Sequence, residues 1–117
     1  MQRGGRAWQF RIEDILEALN KIARYVAGMD YEAFRADGKT VDAVERNLEI
    51  IGEATANLPE ALLARYPQVP WHRMRGLRNI LIHEYFGVDL GIIWQTLQED
   101  LPPLRAQLQR ILDEARG

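Results

Sequence analysis

The reactive side chains concentrate in one stretch, Trp71-His72-Arg73-Met74-Arg75-Gly76-Leu77-Arg78-Asn79-Ile80-Leu81-Ile82-His83-Glu84-Tyr85-Phe86-Gly87. It holds both histidines of the chain, a tyrosine and three arginines. Their chemistry suits metal-free cleavage of a phosphodiester. A histidine near its ordinary pKa of about 6.5 can take a proton from a ribose 2′-hydroxyl, and an arginine can stabilise charge growing on the phosphoryl oxygens. Such a reaction needs RNA, because DNA has no 2′-hydroxyl. Spacing adds a constraint. On an ideal helix, at about 100° per residue, Arg78 and Tyr85 fall within roughly 20° of each other, whereas His83 lies about 140° from Arg78. Arg78 and His83 therefore share a site only if the helix ends or bends near His83, or if a second subunit contributes. A symmetric dimer that stacks this helix on its copy would bring two Arg/His sets together.

Taken as residue types alone, the pattern fits a structural or surface role better than a catalytic one, since an arginine and a histidine five residues apart recur by chance. His83 can equally be a core or interface histidine, Tyr85 a packing residue at a helix end, and Arg78 a partner of Glu84 or of an acid on another helix. Arg73 and Arg75, with Asn79 beside them, read either as an RNA-steering patch or as a solvated face. His72 belongs to no motif and reads as a surface residue.

Glu45, Glu49 and Glu53 recur every four residues, but no Glu-x-x-His pair accompanies them, so a solvated or salt-bridged face is expected rather than a carboxylate metal site. Asn47, at the edge of the apolar stripe of Val44, Leu48 and Ile51, reads as a buried polar group in a helix–helix hydrogen bond. No cysteine occurs, which excludes disulfides, thiolate metal sites and cysteine nucleophiles. No cofactor motif such as a glycine-rich phosphate loop is present, and none is expected to be needed.

The elements that must position these residues are helical. Ile12, Ile15, Leu16, Leu19, Ile22 and Val26 predict an amphipathic helix from about Trp8 to Ala27, stopped by Gly28. Asp30 to Gly38 reads as a connector. Val41, Val44, Leu48, Ile51, Thr55 and Leu58 predict a second long helix from Thr40, ended by Pro59, which opens a short third helix to Arg65. Trp71 to Tyr85 is a further helix, and Asp89 is a candidate N-cap for the next, which runs to Leu101. After Pro102-Pro103, Leu104, Leu108, Ile111 and Leu112 form a last helix or a bent continuation. The expected fold is an all-α up-and-down bundle of four main helices plus a short one, filling residues 1–117 as a single domain.

With 117 residues and a net charge of −2, the chain is no bulk polycation, so any nucleic-acid contact must be local. Arginine supplies all its cations but Lys21 and Lys39, and its planar fork suits phosphate. Met1 to Arg11 has no apolar run of signal-peptide length, and nowhere do about eighteen uncharged apolar residues follow one another. A cytoplasmic protein without a membrane span is expected.

Arg78-Asn79-Ile80-Leu81-Ile82-His83-Glu84-Tyr85 resembles the Arg-x4-His-x-Tyr signature of HepT-like ribonuclease toxins, a branch of the HEPN superfamily. The resemblance extends to Glu13 through Ala18, Ala43 through Ala54, Tyr66-Pro67 through Pro70-Trp71, His83 to Asp89, and Asp100-Leu101-Pro102. It implies a HEPN-like helical homodimer that cleaves RNA at its interface without metal, with Arg78 and His83 at the matching catalytic positions. It also implies a partner, a minimal nucleotidyltransferase antitoxin in a type VII-like toxin–antitoxin module, which would transfer AMP to Tyr85 and place phosphate beside Arg78 and His83. The alternative within the same superfamily is a non-catalytic subunit that binds nucleotide or substrate for a two-component nucleotidyltransferase.

Overall fold

The computed structural model describes residues 3–80 and 90–116, and of residues 3–7 only the backbone is considered. His83, Tyr85 and the proposed cap at Asp89 lie outside the described residues. The described elements are all helical: α1 (Arg3–Tyr25), α2 (Tyr31–Ala36), α3 (Gly38–Ala56), α4 (Glu60–Arg65), α5 (Trp71–Arg75), α6 (Leu90–Gln95), a π-turn (Thr96–Asp100) and α7 (Pro102–Arg116). After Gly76, residues 77–80 are again helical.

The α1 and α3 helices form the central pair, with α7 against α1, α5 against α3, and α2 bridging α3 to α6. Their stripes fix this arrangement. Ile12, Ile15, Leu19 and Ile22 of α1 meet Val44, Leu48 and Ile51 of α3 in one continuous core, to which Leu104, Leu108 and Ile111 add the inner face of α7. Gly28, with φ of +77°, supplies the left-handed residue that releases the chain after α1.

The segment from Asp30 to Gly38 is not a plain connector. The Asp30 carboxylate accepts from the Ala33 amide at 2.9 Å and starts α2, and Phe34 is fully buried with its ring 5.2 Å from that of Trp94. A side-chain cap and one aromatic anchor thus hold a six-residue helix that shows no period long enough to read in sequence. Asp37 serves twice. Its amide donates to Phe34 O, closing α2, and its carboxylate accepts from the Thr40 amide at 3.1 Å, opening α3. Those bonds hold the Asp37 carboxyl below the usual carboxylate range.

The buried polar side chains of α3 are satisfied within that helix. Asn47 donates to Ala43 O at 2.8 Å and Thr55 to Ile51 O at 2.7 Å. The expected helix–helix bond from Asn47 is therefore replaced by a bond one turn back along α3, which leaves the core between helices apolar. At the other end of the bundle, Pro102 and Pro103 have no amide hydrogen to continue the ladder, and the Leu101 amide reaches back to Thr96 O at 3.2 Å. The wide turn that results leads into α7, a helix of its own whose first turn tolerates both prolines.

Candidate functional site

The stretch 71–80 is oriented by the side chains it buries. Trp71, Met74 and Leu77 face the core, which leaves His72, Arg73, Arg75, Arg78 and Asn79 exposed. Trp71 is fixed further by its indole N–H, which donates to Tyr66 O at 2.9 Å. Tyr66, buried itself, donates its hydroxyl to Glu114 of α7 at 2.8 Å, and that bond, with burial, raises the phenol pKa above its ordinary value. The Tyr66-to-Trp71 turn thus ties the arginine-bearing stretch to the far side of the bundle.

Each of the three arginines meets a different acid. Arg78 donates through Nη1 to Glu53 Oε1 of α3 at 3.0 Å. Arg75 lies 3.8 Å from Glu60 of α4, and Arg73 lies 3.7 Å from Asp100 at the end of the π-turn. The latter two are electrostatic contacts rather than hydrogen bonds. Arg73 and Arg75, read from sequence either as an RNA-steering patch with Asn79 or as a solvated face, are exposed like Asn79, and each arginine is paired to a separate element. Of the two partners considered for Arg78, the acid on another helix is the one observed.

Arg78 is the best defined of these groups. Its stem lies across α3 at Gly52, where a Cβ would come within 2.7 Å of Arg78 Cγ and 3.0 Å of Cδ. Glycine at that position lets the arginine stem lie against the helix backbone. Its side chain is still half exposed, with 50% of its surface accessible, and the fork has donors beyond the one on Glu53. The side chain is thereby held by one carboxylate and still half exposed, the arrangement an arginine needs to meet a phosphate without losing its orientation.

Gly52 is a contributor that residue types did not single out, and Glu53 stood out only as part of the glutamate stripe, not as a partner of Arg78. Both sit within the Ala43–Ala54 block of the resemblance, and Glu53 is the last of the four-residue glutamate stripe. That stripe is salt-bridged where its partners are seen, with Glu49 3.3 Å from Arg46 and Glu53 on Arg78. Among the described residues no group of three histidines, aspartates or glutamates is placed to hold a metal ion. Among them, too, no helix is long and apolar enough to cross a membrane.

Comparison with known proteins identifies the family of the chain. The family model described as "Ribonuclease HepT-like" matches residues 15–111. A "Probable ribonuclease HepT" of Thermococcus cleftensis is 42% identical over 100 residues, covering 86% of this chain and 91% of that protein. Relatives from Methanocaldococcus jannaschii and Caldanaerobacter subterraneus subsp. tengcongensis, whose names assign them provisionally as RNases, are 42% and 40% identical. They cover 89% and 90% of this chain, and 86% and 94% of their own lengths. No solved structure matches the chain. The match runs from α1 into α7 and includes Gly52, Glu53 and the whole arginine-bearing stretch, and the chain belongs to the HepT-like ribonuclease family, with an all-α HEPN-like fold.

Proposed function

We propose that this protein is a metal-independent endoribonuclease in which Arg78 and His83 carry the cleavage. The observation that supports this most directly is the Arg78 side chain, bonded to Glu53 and seated on Gly52 while half exposed. His83, five residues on, takes the proton of the ribose 2′-hydroxyl as its oxygen attacks the adjacent phosphorus. Arg78 stabilises the charge on the phosphoryl oxygens, the P–O5′ bond breaks and the departing 5′-oxygen takes a proton from solvent water, yielding a 2′,3′-cyclic phosphate and a 5′-hydroxyl. Nothing in this sequence of steps requires a Lewis acid, since histidine and arginine supply proton transfer and charge stabilisation.

The site is completed in a homodimer: on an ideal helix five-residue spacing would set Arg78 and His83 about 140° apart, and a second copy stacked on this stretch would bring both to one phosphate. The protein is the toxin of a two-gene module whose minimal nucleotidyltransferase antitoxin transfers AMP to Tyr85. Phosphate and adenosine at that position would cover the Arg78 side of the helix and repel the substrate backbone.

The deciding experiment is cleavage of a labelled single-stranded RNA in excess EDTA by the wild type, Arg78→Ala and His83→Ala. Cleavage with a cyclic phosphate end in the wild type, reduced by a factor of about a hundred or more in each variant, is expected. Full activity in His83→Ala overturns the assignment. Intact-mass measurement after incubation with ATP, magnesium and the antitoxin reads the regulatory step, which is expected to add mass in AMP units at Tyr85 and to abolish cutting.

A further inference from the structure

On the flank of the 71–80 stretch opposite α3, the surface opens into a cleft of about 300 Å³, bounded by the end of the π-turn and the start of α7. Its floor is apolar, made by Met74, Leu77, Leu101 and Leu104. Its exposed edge is polar: His72 and Arg73 on one side and Asp100 on the other, with Arg73 Nη1 3.7 Å from Asp100 Oδ1. None of these groups takes part in the cleavage step derived above. The π-turn that presents Asp100 is of a rare type that concentrates at functional positions.

We propose that this cleft is a nucleobase pocket selective for a guanine-type base, and that in the cleavage reaction, where it rests on the ribonuclease reading, it selects a nucleotide at some distance along the strand from the cut. The volume lies at the lower end for small-ligand sites, room for one heterocycle rather than a helix or a row of side chains. An apolar floor buries the faces of a base, the part every base shares. The rim then discriminates. Guanine carries two adjacent N–H donors on its Watson–Crick edge, which match the two oxygens of a carboxylate, whereas adenine offers one donor beside an acceptor. At 3.7 Å the Arg73–Asp100 contact is too long for a hydrogen bond, so the carboxylate can accept from a base while the planar guanidinium stacks on it or meets the adjoining phosphate. Arg73 and Arg78 are five residues apart, about 140° around a helix and with the Gly76 turn between them, so a strand that wraps the outer face of this stretch is needed to bring a phosphate to Arg78 and a base further along into the cleft.

The test is a methyl NMR titration of the full chain with GMP, AMP and UMP, repeated on Asp100→Asn. GMP is expected to shift the Met74, Leu77, Leu101 and Leu104 methyls saturably and to bind roughly tenfold more tightly than AMP, and Asp100→Asn is expected to erase that difference. Methyls that stay unmoved at millimolar GMP overturn the pocket, as does an Asp100→Asn protein that keeps the same preference. RNA cleavage by the same samples separates the two readings. A chain that binds GMP in this way and cuts no RNA keeps the pocket and loses the ribonuclease assignment, and one that cuts RNA without binding GMP loses only the pocket.

Discussion

The α1–α3 pair and the 71–80 stretch are built on different principles. The first is two long helices whose stripes, Ile12, Ile15, Leu19 and Ile22 against Val44, Leu48 and Ile51, are removed from water. Each such side chain contributes about 1.5–3 kcal/mol by burial. The second buries Trp71, Met74 and Leu77, and the three arginines on its outer face are each tied to a carboxylate by an ion pair between exposed ends. Pairs of that kind are worth about 0–1 kcal/mol each. Stability thus lives in the scaffold and orientation lives in weak contacts, so the two should respond to different substitutions. Gly52 is where the regions touch, because it belongs to the scaffold helix by position and to the site by what lies on it.

Leu48→Ala attacks the scaffold. It should lower the unfolding free energy by about 2–5 kcal/mol in urea titrations, since the side chain is wholly buried and its removal leaves a cavity. Cleavage measured well below the melting temperature should change only with the folded fraction, and a large direct loss of activity would break the separation. Gly52→Ala attacks the junction. Alanine is the better helix former by about 1 kcal/mol, but its Cβ falls 2.7 Å from Arg78 Cγ and 3.4 Å from Arg75 O, so the gain is offset and thermal stability should change little. The new Cβ must nevertheless displace the Arg78 stem, and cleavage should fall by a factor of roughly ten. Unchanged activity in that variant would show that the seat on α3 does not matter to Arg78.

Smaller effects sharpen the contrast. Asp30→Ala removes the cap of α2 and should cost about 1 kcal/mol in a chemical melt while leaving cleavage untouched. Titration gives two further readouts, one at each end of the pH scale. The Asp37 carboxyl is depressed in the folded protein, so its bonds stabilise the fold above the ordinary carboxylate range, and that contribution should be lost as pH falls below about 4. The Tyr66 phenol is raised, so its bond to Glu114 stabilises the fold up to about pH 10 and should be lost as pH climbs further. Thermal melts of the wild type against Tyr66→Phe at alkaline pH should converge if that bond is the cause.

The long helices were readable because a stripe at 3.6-residue period states both the element and the face it buries, and α1, α3 and α7 follow their stripes closely. The Arg78-to-Tyr85 signature was readable because its spacing is local. Helix α2 was not, since it rests on one cap and on a ring contact between Phe34 and Trp94, sixty residues apart in sequence. Asn47 was read as buried correctly, but its partner proved to be a carbonyl in its own helix.

The sequence by itself determined the long helices, the family and the residue types available for chemistry, because periodicity, capping and motif spacing are properties of neighbouring residues. Only the tertiary structure decided which acid holds which arginine. Glu53 meets Arg78 across twenty-five positions, Glu60 and Asp100 take the other two, and Gly52 leaves the space that lets Arg78 lie down on α3. Those pairings follow from how helices cross in space, and a carboxylate one turn away in sequence looks no different from one that ends up beside the site.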